Sequence, residues 1–313
     1  MTDKCESELM KNLISVVGPT GIGKTKLAID LAKHFDTEII SCDSRQFFKE
    51  MKIGTAAPSE EELADAPHHF IGNLSVQDYY SIGQYEEDAL KKLNELFGKH
   101  DTVILVGGSM MYEKAVLEGL NELPEANAEN QEKLQNILDS EGIEKLQEIL
   151  KELDPEYFAV VDVHNHRRLL RAIDVIWQSE KKYSEQIAVS QDSRDFKVVR
   201  IGIEAPREEL YDRINRRVDM MMEQGLLEEA KGLEKYKHLT ALNTVGYSEL
   251  FKYFDGEWDL DFAVSEIKKN SRRYAKRQLT WYRKADDIHY LQLGYSQQDF
   301  DDLIEWISTQ FQN

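Results

Sequence analysis

The sequence predicts an α/β fold: a parallel sheet flanked by helices, carrying in addition a small all-helical insertion. Three observations predict it. Apolar runs of strand length, LISVV at 13–17 and TVILVGG at 102–108, alternate with stretches of helical periodicity. From Ala128 to about Gln178 the periodicity is helical alone, and strand character returns in KVVRIGI at 197–203. Continuous apolar strands separated by helices belong to parallel sheets buried on both faces.

Each element has its own signal. LISVV is followed at once by Gly18 to Thr25 and then by Leu27, Ala28, Leu31 and Ala32 at helical spacing, which reads as strand, glycine loop, helix. Glu38 to Ser41 is a second strand run, ending in CDSRQ. Ile82, Tyr85, Ala89, Leu90, Leu93 and Phe97 repeat at three- and four-residue intervals, so a helix is expected over 82–97 ahead of the strand at 102–108. After Gly119 the linker-like NELPEAN opens the helical stretch, which Asp154–Pro155 interrupts because proline starts a helix more readily than it continues one. The expected division is a core of residues 1–120 and 196–313 and an insertion at 121–195. In the last third, two amphipathic helices within 207–236 meet near Gly225, a long helix runs from about Phe262 to Lys284, and DIHYL at 287–291 makes an edge strand.

Charge narrows the function. The 313 residues hold 39 Lys and Arg against 58 Asp and Glu, a net −19, which disfavours a general polyanion binder. Nucleic acid remains possible only where cations are gathered, and here they are. Between Ala263 and Lys284 stand Lys268, Lys269, Arg272, Arg273, Lys276, Arg277, Arg283 and Lys284 against Glu266 alone. The stretch Arg167, Arg168, Leu169, Leu170, Arg171 carries three arginines and no acid, whereas 121–151 has eight acids against three lysines. With so few acids in the long helix to pair its cations, an RNA-contacting face is expected there. Cys5 and Cys42, the only cysteines, exclude a disulfide scaffold and a four-cysteine zinc site and point to a reducing compartment. A polar, acidic start and the lack of any run of 18 apolar residues lead us to expect a cytoplasmic protein with no membrane contact.

GPTGIGKT, Gly18 to Thr25, satisfies G-x-x-x-x-G-K-[ST] between an apolar strand and a helix, so the core is expected to be P-loop NTPase-like. Gly18, Pro19, Thr20, Gly21, Ile22, Gly23, Lys24 and Thr25 should cradle a di- or triphosphate: backbone N–H groups turn inward, the helix start adds its positive dipole end, Lys24 adds a point charge, and the Thr25 hydroxyl can ligand Mg²⁺. In P-loop kinases an apolar strand ends in an acid that helps hold the metal. VILV ends instead in Gly107-Gly108-Ser109, and Asp43 follows a different strand. Asp43 is placed to accept a proton or to ligand a metal, or else it caps the following turn; Ser109 either serves the site or begins the next helix.

At this point eight blocks, in order and over nearly the whole chain, resemble the tRNA dimethylallyltransferases, also called tRNA isopentenyltransferases. They are GPTGIGKT, CDSRQFFKEMKIGTAAP, APHHF, LVGGSMMYEKAVLEGL, NHRRLLRAIDV, DRINRRVDMMMEQG, TVGYSEL and RRYAKRQLTWYRK. The resemblance implies transfer of a dimethylallyl group from dimethylallyl diphosphate to N6 of the adenosine 3′ of the anticodon, in tRNAs reading codons that begin with U. It implies a P-loop that grips the leaving diphosphate, Asp43 as general base, and Ser109, where the family more often has threonine, bonded to the acceptor. It also implies that Asp43, Ser44, Arg45 and Gln46 line the acceptor side, with Gln46 a partner for an adenine edge, and that the DRINRRV block carries a functional arginine. Arg213 and Arg217 share a helix face, and the choice between them stays open. The anticodon stem-loop is then the partner, met also by Arg167, Arg168, Leu169, Leu170, Arg171, Lys276 and Arg277, with Mg²⁺ on Thr25 and a monomer expected. Gly21-Ile22 departs from the usual loop, and two cysteines cannot make the zinc finger of fungal and animal members, so the bacterial form is implied.

Three other readings compete. A small-molecule kinase leaves the basic helix and the GGS strand end unexplained, a prenyltransferase acting on free adenine nucleotides needs no RNA clamp, and a nucleotide-gated RNA binder does not require Asp43. Other features carry ordinary expectations. His164 and His166, two apart, are no metal pair; Met220, Met221 and Met222 fill core; Trp281 and Tyr282 sit in helical core; and His68 and His69 have no physical role assigned.

Overall fold

The computed structural model describes residues 10–188 and 194–312, so Cys5 lies outside the described residues. The chain opens with strand β1 (Lys11–Val17), the glycine loop and helix α1 (Lys24–His34). Strand β2 (Ile39–Ser41), helix α2 (Glu60–Asp65), strand β3 (His68–His69), helix α3 (Ile82–Phe97), strand β4 (Thr102–Val106) and helix α4 (Met110–Glu118) follow. Next come helices α5 (Ala128–Glu141), α6 (Ile143–Leu153), α7 (Pro155–Phe158), α8 (His166–Ser179) and α9 (Tyr183–Ile187). The chain returns through strand β5 (Phe196–Glu204) to helices α10 (Arg207–Glu223), α11 (Leu226–Leu233), α12 (Tyr247–Phe254) and α13 (Leu260–Tyr282), then strand β6 (Ile288–Gln292) and helix α14 (Gln297–Gln312).

The six strands form one parallel sheet in the order β3-β2-β4-β1-β5-β6. Side chains of a strand alternate faces, and both faces here are apolar. Ile14, Val16, Ile39, Ile104 and Val106 pack with Leu27, Leu31, Leu210 and Leu303 on one face, while Leu13, Ile40, Val103 and Leu105 pack with Tyr85, Ala89 and Leu93 on the other. Parallel strands all end on one edge. Gly18 after β1, Cys42-Asp43 after β2 and Gly107-Gly108-Ser109 after β4 are therefore neighbours, although far apart in sequence. A second core, built from Val218, Leu226, Tyr247, Leu250 and Ile267, ties α10 to α13 together beside Phe48 and Met51 of the loop after β2.

By contacts the chain divides into two compact units, Met1–Leu117 with Arg194–Asn313, and Glu118–Ser193. The second is helical. Leu134, Leu146, Leu150, Ala172 and Ile173 form its core, and two carboxylates buried within it are satisfied by hydrogen bonds. Asp154 caps α7 through Tyr157 N (2.9 Å) and takes Ser184 N (2.7 Å) and Ser184 Oγ (2.9 Å), while Asp174 accepts from Asn130, Gln131 and Gln178. Here the structure corrects an expectation. Leu169 and Leu170 are core residues of this unit, their side chains buried with Leu134 and Leu146 and not on its surface; the helical turn that brings Arg167 and Arg168 out carries the leucines in. Arg171 also turns inward, donating to Pro124 O at 2.6 Å.

Candidate active site

The glycine loop owes its shape to residues without side chains. Gly18, Gly21 and Gly23 have φ of 136°, 80° and 106°, values disfavoured for any residue with a Cβ. Gly23 precedes α1 and offers no side-chain cap, so the first-turn N–H groups of α1 are left for an outside acceptor. Lys24 Nζ donates to Pro19 O (2.9 Å), which folds its ammonium back over the loop. Burial pulls the Lys24 pKa down to about 8; the Asp43 carboxylate opposes that fall and the Arg217 guanidinium adds to it.

Two cavities open from this point. The first, about 490 Å³, is lined by Gly21, Gly23, Lys24 and Thr25 of the loop together with Arg213. A second, about 360 Å³, is lined by Ser44, Arg45, Ser109, Thr244, Tyr274 and Arg277. Thr20, Asp43, Thr55 and Arg217 line both, so the loop and the second cavity meet at the Asp43 carboxylate. A third space, about 810 Å³, continues from the first along Phe48, Ile71, Met220 and Met221.

Asp43 Oδ1 accepts from Arg45 N at 3.2 Å, a local turn that fixes the carboxylate at the junction. Ser109 begins α4 through its backbone, its carbonyl accepting from Glu113 N, yet its Oγ bonds to Ser44 N (3.0 Å) and Ser44 Oγ (3.0 Å). Its hydroxyl is thereby tied to Ser44 in the wall of the second cavity. The two arginines separate. Arg213 lines the first cavity and its Nε donates to Gly21 O (3.0 Å), whereas Arg217 lies among all three cavities, its pKa lowered by burial and held up by Asp43. Neighbouring Arg216 is paired with Asp212.

Other expected residues are placed differently. Gln46 lines the first and third cavities, and its Nε2 donates to Thr55 O (3.3 Å) and Ala56 O (3.2 Å). That amide braces a loop and does not line the second cavity. Arg45 lines the second cavity while its Nη1 donates to Thr240 O and Ala241 O. On α13, Lys276 and Arg277 are exposed, but Lys268 pairs with Asp219 of α10 (2.5 Å) and Lys269 with Glu266 (2.8 Å). The acid that meets Lys268 comes from a neighbouring helix, which the pattern along α13 does not contain. Met220 is half exposed and lines the first cavity, unlike Met221 and Met222, which pack on the second core; Tyr282 is buried as expected.

Several site residues had no sequence signal. His68 lines the first cavity; its Nδ1 lies 2.8 Å from Ala66 O, its Nε2 is buried without a partner among the described residues, and burial lowers its pKa. His69 instead pairs with Glu38 at 2.6 Å. Glu229 holds the loop leading to Thr55, accepting from the N–H groups of Lys52 (2.9 Å), Ile53 (2.8 Å) and Gly54 (2.9 Å) and from Tyr247 Oη (2.6 Å). A buried amide, Gln278, joins the glycine loop to the end of β4.

Among the described residues no group of three or more His, Cys, Asp or Glu is arranged to hold a metal ion. Oxygen ligands lining the first cavity include the Thr25 hydroxyl and the Asp43 carboxylate, with Ser41, Thr55 and Glu62 also on its wall. That set fits Mg²⁺ in its usual manner, one or two protein oxygens with the rest of the octahedron from phosphate and water. Chemically the arrangement is an anion cradle, a cationic wall and a carboxylate at the mouth of a second chamber.

The family described as IPP transferase matches residues 46–285. The chain belongs to that family. Among IPP transferase relatives it is 52% identical over 293 residues to the tRNA dimethylallyltransferase of Christiangramia forsetii, covering 94% of this chain and 97% of that protein. It is 48% identical over 276 residues to tRNA dimethylallyltransferase 1 of Phocaeicola vulgatus, covering 88% and 92%. Its fold is that of the full-length tRNA isopentenylpyrophosphate transferase of Bacillus halodurans, with a TM-score of 0.73, 33% identity and coverage of 96% and 97%. A eukaryotic dimethylallyltransferase, solved while acting on tRNA, superposes with a TM-score of 0.79 at 25% identity over 90% of this chain and 74% of that one.

Proposed function

We propose that this IPP transferase moves the dimethylallyl group of dimethylallyl diphosphate to the exocyclic N6 of the adenosine 3′ of the anticodon, in tRNAs reading codons that begin with U. One observation carries the reading: the phosphate loop and a separate second cavity converge on Asp43. A small-molecule kinase would leave the exposed cations of α13 and the Gly107-Gly108-Ser109 strand end without a use. In this reading the diphosphate lies on the backbone N–H groups of Gly21, Gly23, Lys24 and Thr25, with the Lys24 ammonium and Arg217 against it. The five-carbon group lies along Ile71 and Met220, and adenine enters past Ser109 and Tyr274.

The reaction balances as a displacement. The N6 lone pair forms the new bond to C1, the C1–O bond breaks, and its electrons leave with the diphosphate. N6 is a poor nucleophile because its lone pair is delocalised into the purine, so Asp43 takes the N6 proton as the bond forms. Charge accumulates on the bridging oxygen, and the loop amides, Lys24 and Arg217 are already oriented to stabilise it. The Thr25 hydroxyl would help hold Mg²⁺ at the diphosphate, where the ion would add to the neutralisation of that charge.

Presenting N6 requires the base to leave its stack, which costs a few kcal/mol, offset here by the second chamber and the ring of Tyr274. Exposed Lys276 and Arg277 on α13, and Arg167 and Arg168 on the helical unit, are suited to the phosphates of the anticodon stem-loop. No helix among the described residues is long and apolar enough to cross a membrane, and tRNA as substrate assigns the enzyme to the cytoplasm. Both chambers lie in one chain, so a monomer suffices.

Two results follow. Phosphate contacts release counterions, so the association constant for tRNA should fall linearly in logarithm against log salt; an affinity unchanged between about 50 and 200 mM salt, where such contacts typically cost on the order of 10³-fold, contradicts the basic face. The second concerns pH. Lys24 has its pKa lowered to about 8, so it carries charge below that pH and loses it above; kcat/KM for the diphosphate substrate should decline as pH rises through about 8. Bound diphosphate holds the proton on, so kcat itself should persist to higher pH. A kcat/KM profile flat from pH 7 to 9, read on a rough scale of one pKa unit either side, excludes the charged lysine from donor capture. The reading as a whole is tested by offering labelled dimethylallyl diphosphate with unmodified tRNA or with AMP or ADP, and ATP without RNA. Label should enter tRNA; prenylated free nucleotide, or ADP formed without RNA, overturns it.

A further inference from the structure

Gln278 is fully buried on α13, the helix that otherwise carries cations. Its Oε1 accepts from Thr20 N (2.9 Å) of the glycine loop, and its Nε2 donates to Gly108 O (2.8 Å) at the end of β4. These partners fix the amide orientation, since an N–H can only donate and a carbonyl can only accept. One turn earlier, Tyr274 Oη donates to the same Gly108 O (2.9 Å). Gly108 is the crossing point of the site: a methyl group there would lie 2.7 Å from Gln278 Nε2, 3.6 Å from Asp43 Oδ2 and 3.9 Å from Lys24 Nζ. The next residue, Ser109, holds Ser44, which adjoins Asp43. Gln278 thus links the cradle side, through Thr20, to the base side, through Gly108 and Ser109.

We propose that Gln278 is a positioning residue that sets the separation between the diphosphate cradle and the Asp43 base. Neither substrate's binding surface depends on it directly. Thr20 N–H is spent on Gln278 and is not a phosphate donor, and the amide is sealed from solvent. Its contribution therefore lies in geometry: C1 of the donor and N6 of the acceptor must meet in line, and a misplacement near 1 Å can cost about 10²-fold in rate.

This inference rests on the prenyl-transfer reading, so the unaltered enzyme is assayed first; if it transfers no label to tRNA, that reading fails and not the role of Gln278. The test compares Gln278→Met, which keeps the shape and loses both bonds, with Gln278→Asn, whose amide is one carbon too short to span Thr20 and Gly108. Single-turnover transfer at saturating tRNA and donor should fall about 10- to 100-fold in both. Dissociation constants for inorganic pyrophosphate and for tRNA should stay within about threefold, well below one pKa-unit equivalent of binding energy. Tyr274→Phe leaves Gln278 in place and should lose less than either variant. A single-turnover rate unchanged in Gln278→Asn overturns the proposal, as does a loss confined to pyrophosphate affinity. If Gln278→Met does not fold, Gln278→Asn decides alone.

Discussion

Asp43→Asn should bind tRNA and dimethylallyl diphosphate as the unaltered enzyme does and lose about 10²–10⁴-fold in kcat, the usual worth of a general base. The substitution is nearly isosteric. Asn keeps the oxygen that accepts from Arg45 N, so the turn at 43–45 stays formed. What it loses is the capacity to receive a proton. It also removes the negative charge that favours the protonated form of Lys24 and the charged form of Arg217. A modest rise in KM for the diphosphate is compatible with that second effect, but the principal loss must be in kcat. Steady-state kinetics on a stem-loop substrate separate the two, and turnover at the wild-type rate removes Asp43 from the chemistry.

Arg217→Gln should cost about 10²–10³-fold in kcat, on the scale of losing one preorganised donor to a developing anion. Arg217 borders the cradle, the second chamber and the third space beside them, and its guanidinium is largely buried, so its fixed charge acts strongly there. Arg213→Gln should behave differently. That guanidinium holds Gly21 O, so its loss loosens the loop and should appear chiefly in KM for the diphosphate. Arg217→Lys should restore only part of the activity, because a point charge on a flexible stem does not reproduce the planar fork. Equal kcat losses for both glutamine variants would mean that the two arginines act on the loop as one unit.

The fold was legible where a periodicity ran long enough. LISVV with its glycine loop, the helix over 82–97 and the long basic helix each declare themselves, and each is present as β1 and α1, α3 and α13. Strand β3 is two residues long, too short for any period, and the order β3-β2-β4-β1-β5-β6 depends on contacts that no local pattern encodes. At the site, the strand-end positions of Asp43 and Ser109 could be read because parallel strands finish on one edge. Leu169 and Leu170 were misjudged for the opposite reason. Composition groups them with their arginine neighbours, although a step of one residue, about 100° around the helix, separates exposed Arg168 from buried Leu169. Arg213 and Arg217 could not be separated by spacing alone, since residues four apart share a face; the Gly21 carbonyl held by Arg213 and the cavities bordered by Arg217 tell them apart. Gln278 was hidden among cations, and nothing in RRYAKRQLTWYRK marks one glutamine as the buried link.

The most direct measurement is a crystal structure of the protein with dimethylallyl S-thiolodiphosphate, a slow-reacting donor, and an anticodon stem-loop. The expected result has both phosphates on the amides between Gly18 and Thr25, the target adenine in the chamber of Ser109 and Tyr274, and N6 facing C1 with the Asp43 carboxylate within hydrogen-bond reach. A donor seated away from the glycine loop, or an adenine separated from C1 by Thr20 and Arg217, contradicts the transfer mechanism.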